Sequence, residues 1–322
     1  MTHLLSRQHP ERPLVLAVLG PTAAGKSALA IALAGKYGGE IVNCDSTAVY
    51  RGFDIGTDKV PPAERRGIPH HVVDVVDATE EYTAAWYARD AADAIAGIVS
   101  RRRLPLVVGG TGLYYRSLTR GLFPGPGKDA RLRARLEASA DRRGVAWLHR
   151  FVGRVDPASA RRIQPRDRKR LVRALEVYFL TGKPLTAHFA DTVSPLAAYQ
   201  VVPLALRLPA AATAARVGRR VDEQFARGVV DEVRGLLGRG VPRGARPFGG
   251  LVYRQVLELL DGVRDEAATR ALIAQENRRY ARRQLIWFRK EPNLVWFDGP
   301  GESPDVIAQV DGAVAALMKR PH

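Results

Sequence analysis

Short apolar runs alternate with amphipathic stretches along the first third of the chain. The apolar runs predict buried strands at residues 14–19, 40–45, 71–77 and 104–110, and apolar positions at helical spacing predict a helix at 84–101. Strands that alternate with helices form a parallel sheet that is covered by helices on both faces. The pattern therefore predicts an α/β fold, in which ligands bind at the carboxyl ends of the strands.

The pattern changes after residue 122, where a turn-rich segment ends the strand signals and residues 131–178 are predicted to be helical. The remaining elements are predicted at 200–208 and 293–298 as strands, and at 211–238, 250–260, 266–290 and 304–319 as helices. We predict an α/β core formed by residues 12–122 and 198–318, which includes the C-terminal helices. Residues 123–197 are predicted to be a helical insertion in that core.

The charge of the chain is strongly positive and unevenly distributed. The formal net charge is +17, from 50 Lys and Arg against 33 Asp and Glu in 322 residues. Residues 131–173 alone contain fourteen Lys or Arg against four acidic residues. A concentrated basic surface binds polyanions, because each phosphate that it neutralises releases counterions. The insertion is therefore predicted to bind nucleic acid, the alternative being a basic surface that is merely solvated.

The composition, with 46% hydrophobic and 26% charged residues, is typical of a globular protein. No apolar run approaches the ~18 residues that span a bilayer, and residues 1–13 lack the apolar core of a signal peptide. We therefore expect a cytoplasmic protein with no membrane partner. The single cysteine, Cys44, excludes an intrachain disulfide and a zinc site built from several thiolates.

One stretch matches the phosphate-binding loop (P-loop) G-x-x-x-x-G-K-[ST], an ATP-binding motif, at every fixed position and lies between a predicted strand and a predicted helix. Its members are Gly20, Pro21, Thr22, Ala23, Ala24, Gly25, Lys26 and Ser27. Successive N–H groups at the start of a helix bind an anion, and Lys26 adds a positive charge. The Ser27 hydroxyl can ligate a Mg²⁺ ion that bridges phosphates. The chain is therefore predicted to bind a polyphosphate.

Two further candidates follow predicted strands and should lie at the same edge of the sheet. Asp45 could act as a general base on an acceptor or as an indirect magnesium ligand, or it could only cap the following turn. Thr111, within the glycine-rich segment 109–112, could donate to a phosphate oxygen or cap the next helix. The residue types and their positions leave these alternatives open.

Two basic helical stretches are also candidates. Arg216, Arg219 and Arg220 could reach the phosphates or could form a salt-bridged helix face. The run 277–290 interleaves basic with aromatic residues, which suits nucleic-acid contact or an amphipathic helix that buries its aromatic side chains. The predicted strand 104–110 ends in glycines, where an ATPase would place a carboxylate for magnesium, so ATP hydrolysis is not expected.

Taken together, these segments resemble the tRNA dimethylallyltransferases, also called tRNA isopentenyltransferases. The matching stretches are 20–27, 45–46, 49–57, 67–71, 109–114, 173–178, 181–184 and 279–288. They follow in order over nearly the whole chain. The resemblance implies a P-loop NTPase-like parallel-sheet core with a helical insertion domain that binds tRNA.

The resemblance also implies an activity. A dimethylallyl group would pass from dimethylallyl diphosphate to the exocyclic N6 amine of the adenosine 3′-adjacent to the anticodon of tRNAs, and diphosphate would be released. The P-loop with Lys26, Thr111, Arg220 and Ser27 with Mg²⁺ would hold the diphosphate. Asp45 would accept the proton of the amine. The implied catalytic residues are therefore Asp45, Thr111 and Arg220, the implied cofactor is Mg²⁺ with Ser27 as its ligand, and we expect a monomer.

The target base must leave the anticodon-loop stack to reach the crevice, which requires base flipping and contacts with the flanking nucleotides. By resemblance, contact with the tRNA anticodon stem-loop is assigned to Asp45, Ser46, Thr47, Ala48, Arg133, Lys169, Arg170, Leu171, Val172, Arg173, Arg278, Arg282, Arg283 and Gln284. Three positions depart from the family pattern: Ala48 replaces a Gln, Arg166 replaces an Asn, and residues 249–253 replace Gln-Ala-Ile-Gly-Tyr. These departures concern recognition of the anticodon loop and leave the diphosphate site intact.

Three alternative functions remain. An adenylate dimethylallyltransferase acts on a free nucleotide and would not need the basic insertion. A P-loop small-molecule kinase would turn over magnesium ATP, which the missing carboxylate argues against. An RNA-binding protein with a vestigial P-loop would be favoured by loss of Asp45 or Thr111, and both residues are present.

Overall fold

The structure, a computed structural model, describes residues 12–123 and 125–318. The chain divides into two compact units. The larger unit contains the described residues up to 119 and from 195 onward, and the smaller unit contains those between 120 and 194. The smaller unit therefore spans residues 120–194, whereas the sequence pattern predicted an insertion at 123–197.

The first part of the chain alternates strands with helices. Its elements are β1 (Leu14–Leu19), α1 (Lys26–Tyr37), β2 (Gly39–Asn43), β3 (His70–His71), α2 (Ala84–Ser100), β4 (Leu104–Gly109) and α3 (Gly112–Arg120). The longest of these helices begins after Thr83, whose hydroxyl accepts a hydrogen bond from the Trp86 N–H at 3.2 Å. This cap satisfies one of the N–H groups that have no partner inside the helix.

The smaller unit is helical. Its described helices are α4 (Ala130–Arg143), α5 (Val145–Val155), α6 (Pro157–Arg162) and α7 (Arg168–Thr181), followed by a 3₁₀ turn at Ala187–Asp191. Gly144, with φ of 80°, separates α4 from α5, and Pro157 starts α6 because it has no N–H to continue the preceding helix. Leu148, Leu171 and Leu175 contribute to a core that belongs to this unit alone.

The remaining elements return to the larger unit. They are β5 (Gln200–Arg207), α8 (Ala210–Ala226), α9 (Val229–Gly238), α10 (Tyr253–Leu260), α11 (Glu266–Phe288), β6 (Val295–Asp298) and α12 (Pro304–Met318). The helix predicted at 211–238 is two helices, because Gly228 adopts a left-handed conformation with φ of 86°. Lys319, the predicted end of the last helix, lies outside the described residues. None of the helices that the structure describes is both long and apolar enough to cross a membrane.

The described strands form a six-stranded parallel sheet in the order β3-β2-β4-β1-β5-β6. In its middle, Leu16 of β1 pairs with Leu106 of β4 on one side and with Val202 of β5 on the other. The predicted α/β fold with a parallel core sheet is confirmed. Because the strands are parallel, the segments that follow β1, β2 and β4 emerge at the same edge of the sheet.

Helices cover both faces of this sheet, and β1 contributes to both layers. Val15 and Ala17 belong to the layer that contains Ile95 of α2, whereas Leu16 belongs to the layer that contains Leu29 of α1. Successive side chains of a strand point to opposite faces, so a strand buried on both sides is apolar throughout. This is why the run at 14–19 lacks alternating polar positions.

The strand predicted at 71–77 is wrong beyond its first residue. β3 contains only His70 and His71, and Val72 and Asp74 have φ of 59° and 56°, values that a strand does not accommodate. The carboxylate of Asp74 accepts a hydrogen bond from the buried ammonium group of Lys59. This contact joins residues that are distant in the chain, and a local hydrophobic pattern does not reveal it.

Candidate active site

The P-loop connects β1 to α1 through a backbone path with three positive φ values. They occur at Gly20 (146°), Ala23 (60°) and Gly25 (84°). A Cβ atom at Gly20 would lie 2.8 Å from the carbonyl oxygen of Leu206, so a side chain does not fit there. Because α1 begins at Lys26, the unpaired N–H groups of its first turn adjoin the loop, where they can bind an anion.

Lys26 carries the positive charge of this loop. Its Nζ donates a hydrogen bond to the carbonyl oxygen of Pro21 at 2.7 Å. Burial and the neighbouring guanidinium group of Arg220 lower the pKa of Lys26 to about 8, although the carboxylate of Asp45 opposes this shift. A bound diphosphate would add negative charge and favour the protonated ammonium.

Asp45 lies directly beyond β2 and is partly buried. Its Oδ1 accepts hydrogen bonds from the N–H of Thr47 at 2.9 Å and from the hydroxyl of Thr47 at 2.6 Å, so the carboxylate caps the turn. No donor among the described residues forms a hydrogen bond with Oδ2. Capping therefore occupies Oδ1 and leaves Oδ2 available to accept a proton. Asp45 can thus cap the turn and act as a general base, two roles that the sequence left as alternatives.

Thr111 lies between β4 and α3 and is joined to the segment after β2. Its Oγ1 accepts a hydrogen bond from the Ser46 N–H at 3.0 Å, and its own N–H donates to the Cys44 carbonyl at 3.1 Å. The Thr111 hydroxyl also donates to the Ser46 hydroxyl at 3.4 Å. Burial raises the pKa of Tyr280 to about 12, so its phenol is protonated at neutral pH. These contacts with Cys44 and Ser46 fix Thr111 against the segment that follows β2.

Arg220 reaches the P-loop from α8. Its Nη1 donates to the Thr22 hydroxyl at 2.7 Å, and its Nε forms an ion pair with Asp58. Burial lowers the pKa of Arg220 to about 10, against the influence of Asp45, so the guanidinium stays charged at neutral pH. Sequence analysis did not single out Asp58, which orients this arginine from a position far away in the chain.

The other two arginines of α8 differ from each other. Arg216 donates from Nε to the carbonyl oxygen of Ala23 at 2.6 Å and pairs with Glu302 at 2.5 Å. Arg219 is exposed. Of the predicted trio, Arg216 and Arg220 therefore contact the P-loop, and the alternative of a salt-bridged helix face describes only part of their contacts.

Two adjoining cavities lie along this edge of the sheet. The first, which we name the P-loop cavity, has a volume of about 140 Å³ and is lined in part by Lys26 and Ser27. The second, which we name the Arg283 cavity, has a volume of about 280 Å³ and is lined in part by Ser46, Thr47 and Arg283. The residues that line both cavities are Thr22, Asp45, Thr57, Arg220 and Tyr280. The predicted catalytic side chains Asp45 and Arg220 thus stand where the two cavities meet.

The described residues contain no cluster of three or more His, Cys, Asp or Glu side chains that could hold a metal ion. The ligand that fits Mg²⁺ here is the hydroxyl of Ser27, which is exposed in the first turn of α1. Mg²⁺ usually keeps several waters and binds through one or two protein groups together with substrate phosphates. The residues present therefore fit an ion that binds together with the diphosphate.

Comparison with known proteins establishes the family. The sequence matches the family model described as IPP transferase over residues 48–291. The chain belongs to the IPP transferase family. It is 46% identical over 309 residues to a tRNA dimethylallyltransferase of Solibacter usitatus, with 95% of this chain and 99% of that protein covered. It is 43% identical over 297 residues to a tRNA dimethylallyltransferase of Koribacter versatilis, with 92% and 96% covered.

Solved structures of the IPP transferase family have the same fold. A tRNA isopentenylpyrophosphate transferase from Bacillus halodurans matches with a TM-score of 0.70 and 34% identity, over 96% of this chain and 97% of that chain. A eukaryotic dimethylallyltransferase acting on tRNA matches with a TM-score of 0.81 and 28% identity, over 96% of this chain and 80% of that chain. The family resemblance is confirmed, and the chain is an enzyme of the prenyltransferase type.

Four of the six tRNA contacts that the family resemblance assigned to the smaller unit are the consecutive residues 169–172. Lys169 and Arg170 are exposed at the start of α7. Leu171 and Val172 are buried in the core of the unit, with exposures of 0% and 2%. The side chains of Leu171 and Val172 thus pack into this core, because one face of an amphipathic helix must pack inward, and their assignment to tRNA stays a prediction that the side-chain positions do not support.

Arg133 and Arg173 share a buried partner within the smaller unit. Arg133 donates from Nε to Glu176 at 2.7 Å, and Arg173 donates from Nη1 to the same carboxylate at 2.6 Å. Burial alone would raise the pKa of Glu176, but hydrogen bonds from Arg133, Arg173 and the Asp129 N–H lower it to about 2. Both arginines thus compensate a buried charge, a role that sequence analysis missed.

The remaining assigned residues lie in the larger unit. Arg278, Arg282 and Arg283 are exposed along α11. Gln284, on the same helix, is buried with 6% exposure. Ala48 is also buried and lines the P-loop cavity. The departure at 249–253 brings Gly250, Leu251 and Val252 into the wall of the Arg283 cavity.

Proposed function

We propose that this chain transfers the dimethylallyl group of dimethylallyl diphosphate to N6 of the adenosine 3′-adjacent to the anticodon of tRNAs, with release of diphosphate. The tRNA dimethylallyltransferase names of its relatives support this activity. The observation that carries the proposal is the position of Asp45 in the wall of both cavities. A transferase needs such a group where its donor and its acceptor meet.

The P-loop cavity suits the donor. Lys26, Ser27 and Arg220 offer positive charge and a hydroxyl to the diphosphate, while Ile41 and Val108 offer apolar surface to the prenyl tail. The acceptor base would enter the Arg283 cavity, where Tyr280 and the backbone at Gly250 supply surface for a flipped base. The two reacting atoms would then approach each other beside Asp45.

The chemistry balances with the residues present. The bond between the allylic carbon and the diphosphate oxygen breaks, and its electron pair leaves with diphosphate. The adenine N6 forms the new bond to carbon, and its proton passes to Oδ2 of Asp45. Lys26, Thr111 and Arg220 stabilise the charge that accumulates on the leaving diphosphate. When bound, Mg²⁺ held by Ser27 supplies further positive charge to that group.

Contact with the anticodon stem-loop is proposed for the exposed basic residues. They are Lys169, Arg170, Arg278, Arg282 and Arg283. Their contacts with phosphates would strengthen binding without reading sequence, since base contacts supply the specificity. Action as a monomer in the cytoplasm belongs to the same proposal.

The experiment that tests the function is a competition for labelled dimethylallyl diphosphate in the presence of Mg²⁺. The acceptors are an anticodon stem-loop with adenosine 3′ of the anticodon, the same stem-loop with guanosine at that position, AMP and ATP. We expect label only in the adenosine stem-loop. Label in AMP or ATP would support an adenylate dimethylallyltransferase, and label in none of them would refute transfer to these acceptors.

A further inference from the structure

Gln284 joins two segments of the P-loop cavity that are far apart in the sequence. Its Nε2 donates to the carbonyl oxygen of Gly110 at 2.9 Å, and its Oε1 accepts from the Thr22 N–H at 2.8 Å. One buried amide therefore satisfies a carbonyl group beyond β4 and an N–H group of the P-loop. An unpaired buried backbone group is costly, so both contacts favour one position of the Gln284 side chain.

Thr22 is hydrogen-bonded to both Gln284 and Arg220. The backbone of Thr22 binds Gln284, and its hydroxyl accepts the hydrogen bond from Arg220 at 2.7 Å. The same guanidinium pairs with Asp58 on its other side. Displacing the Gln284 amide would release the Thr22 backbone, and the hydrogen bond between the Thr22 hydroxyl and Arg220 would no longer be fixed in position.

The position of Gln284 on α11 places it at the donor end of the crevice. Asn277, Tyr280 and Gln284 lie three and four residues apart, which puts them on one face of the helix. Asn277 lines the Arg283 cavity, Tyr280 lines both cavities, and Gln284 lines the P-loop cavity. The residues of this face thus pass from the acceptor side to the donor side.

We propose that Gln284 is a positioning residue of the diphosphate site, where it fixes the P-loop and Arg220, and that it is not a tRNA contact. This inference rests on the proposed function, which assigns the diphosphate to the P-loop. The position requires a donor and an acceptor on one planar group, which glutamine supplies and which methionine and an ionised glutamate do not.

Gly110 leaves the space that this amide needs. A Cβ atom at Gly110 would lie 2.3 Å from Nε2 of Gln284 and 3.1 Å from the carbonyl oxygen of Gly20. The φ of Gly110 is not positive, so alanine is compatible with the backbone torsion there, and the Gly20 carbonyl has to shift by only a few tenths of an ångström. The main effect of Gly110→Ala is therefore to displace the amide of Gln284, with a smaller shift of the Gly20 carbonyl.

The test measures the two ligands separately, without catalysis. Dissociation constants are determined for inorganic diphosphate with Mg²⁺ and for the anticodon stem-loop, in wild type, Gln284→Met and Gln284→Glu. We expect both variants to bind diphosphate about 10- to 100-fold more weakly, as the loss of one or two buried hydrogen bonds implies, with stem-loop affinity unchanged within about twofold. Gln275→Met is the control, because Gln275 is an exposed glutamine of the same helix.

A double-mutant cycle keeps the test decisive if Gln284→Met folds poorly. Gly110→Ala should weaken diphosphate binding when Gln284 is present, and most of this effect should disappear in a Gln284→Ala background. Additive effects would overturn the inference. So would a Gln284→Met protein that binds diphosphate normally, or one that loses affinity for the stem-loop to the same extent. If the wild-type protein bound no diphosphate, the proposed donor site would fail and the inference with it.

Discussion

Replacing Lys26 by methionine should stabilise the protein without ligand while abolishing its response to diphosphate. Methionine is similar in length but has no charge. In the folded protein, burial and Arg220 lower the pKa of Lys26 from 10.5 to about 8, so the protonated ammonium is less favourable there than in the unfolded chain. Function thus maintains a charge that the fold without ligand disfavours.

The magnitude follows from this pKa difference. At about 1.4 kcal/mol per pKa unit, it corresponds to about 3 kcal/mol of destabilisation at pH 7. Lys26 keeps partial solvent exposure, and the variant also loses the hydrogen bond to Pro21, so both effects reduce the gain. We expect a net gain of about 1 kcal/mol, or a rise in Tm of about 2–4 °C.

The stability difference between Lys26→Met and wild type should depend on pH. Between pH 8 and 10.5 the unfolded chain still binds a proton that the folded protein has lost, so wild-type stability rises with pH over this window. The advantage of Lys26→Met should therefore shrink from pH 7 to pH 9.5. Calorimetry of both proteins at the two pH values measures the difference, and Lys290→Met, at an exposed lysine of the same unit, is the control.

Diphosphate supplies the second measurement. With Mg²⁺ and diphosphate, the Tm of wild type should rise, because the ligand binds only the folded state, whereas the Tm of Lys26→Met should stay constant. A variant that is less stable than wild type at pH 7, or whose advantage grows toward pH 9.5, would refute the electrostatic reasoning. A variant that diphosphate still stabilises would remove Lys26 from the donor site.

Three further predictions concern charged groups. Asp45→Asn should lower the rate of prenyl transfer by about 10²- to 10⁴-fold and leave diphosphate affinity intact, as single-turnover kinetics and titration calorimetry would detect; unchanged kinetics would show that another group accepts the proton. Arg220→Met should weaken diphosphate binding in the same titration and leave stem-loop affinity unchanged, and equal diphosphate affinity would exclude Arg220 from the site. Glu176 has a pKa of about 2 in the folded protein against 4.5 in the unfolded chain, so its ionisation contributes about 3 kcal/mol to the free energy of unfolding. This contribution is present above pH 4.5 and is lost as the pH falls toward 2. Glu176→Gln should therefore remove this acid dependence from urea unfolding curves, and a retained dependence would contradict the prediction.

Sequence patterns were sufficient to predict features that are formed by residues close together in the chain. The P-loop motif predicts the turn between β1 and α1, since its glycines stand where φ is positive or a Cβ would clash. Asp45 and Thr111 follow buried apolar runs, and parallel strands bring such segments to one edge. The fold class and the approximate position of the site could therefore be predicted from the sequence.

Other features depend on contacts between distant residues. The ion pair of Arg220 with Asp58 and the hydrogen bonds of Gln284 join segments that no local pattern connects. Valine is a residue type that favours strands, but Val72 lies in a loop and its φ is positive. Charge predicted that the insertion binds nucleic acid and the resemblance assigned Arg133 to tRNA, although Arg133 faces a buried glutamate. Burial of a charge becomes apparent only once the helices are packed.

The most direct test of the central claim is mass spectrometry of nucleosides from unmodified tRNA after incubation with the protein, Mg²⁺ and dimethylallyl diphosphate. We predict one added dimethylallyl group, on the adenosine 3′-adjacent to the anticodon, for wild type, and almost none for Asp45→Asn in the same time. Modification of a different nucleoside, or equal modification by the two proteins, would contradict the account.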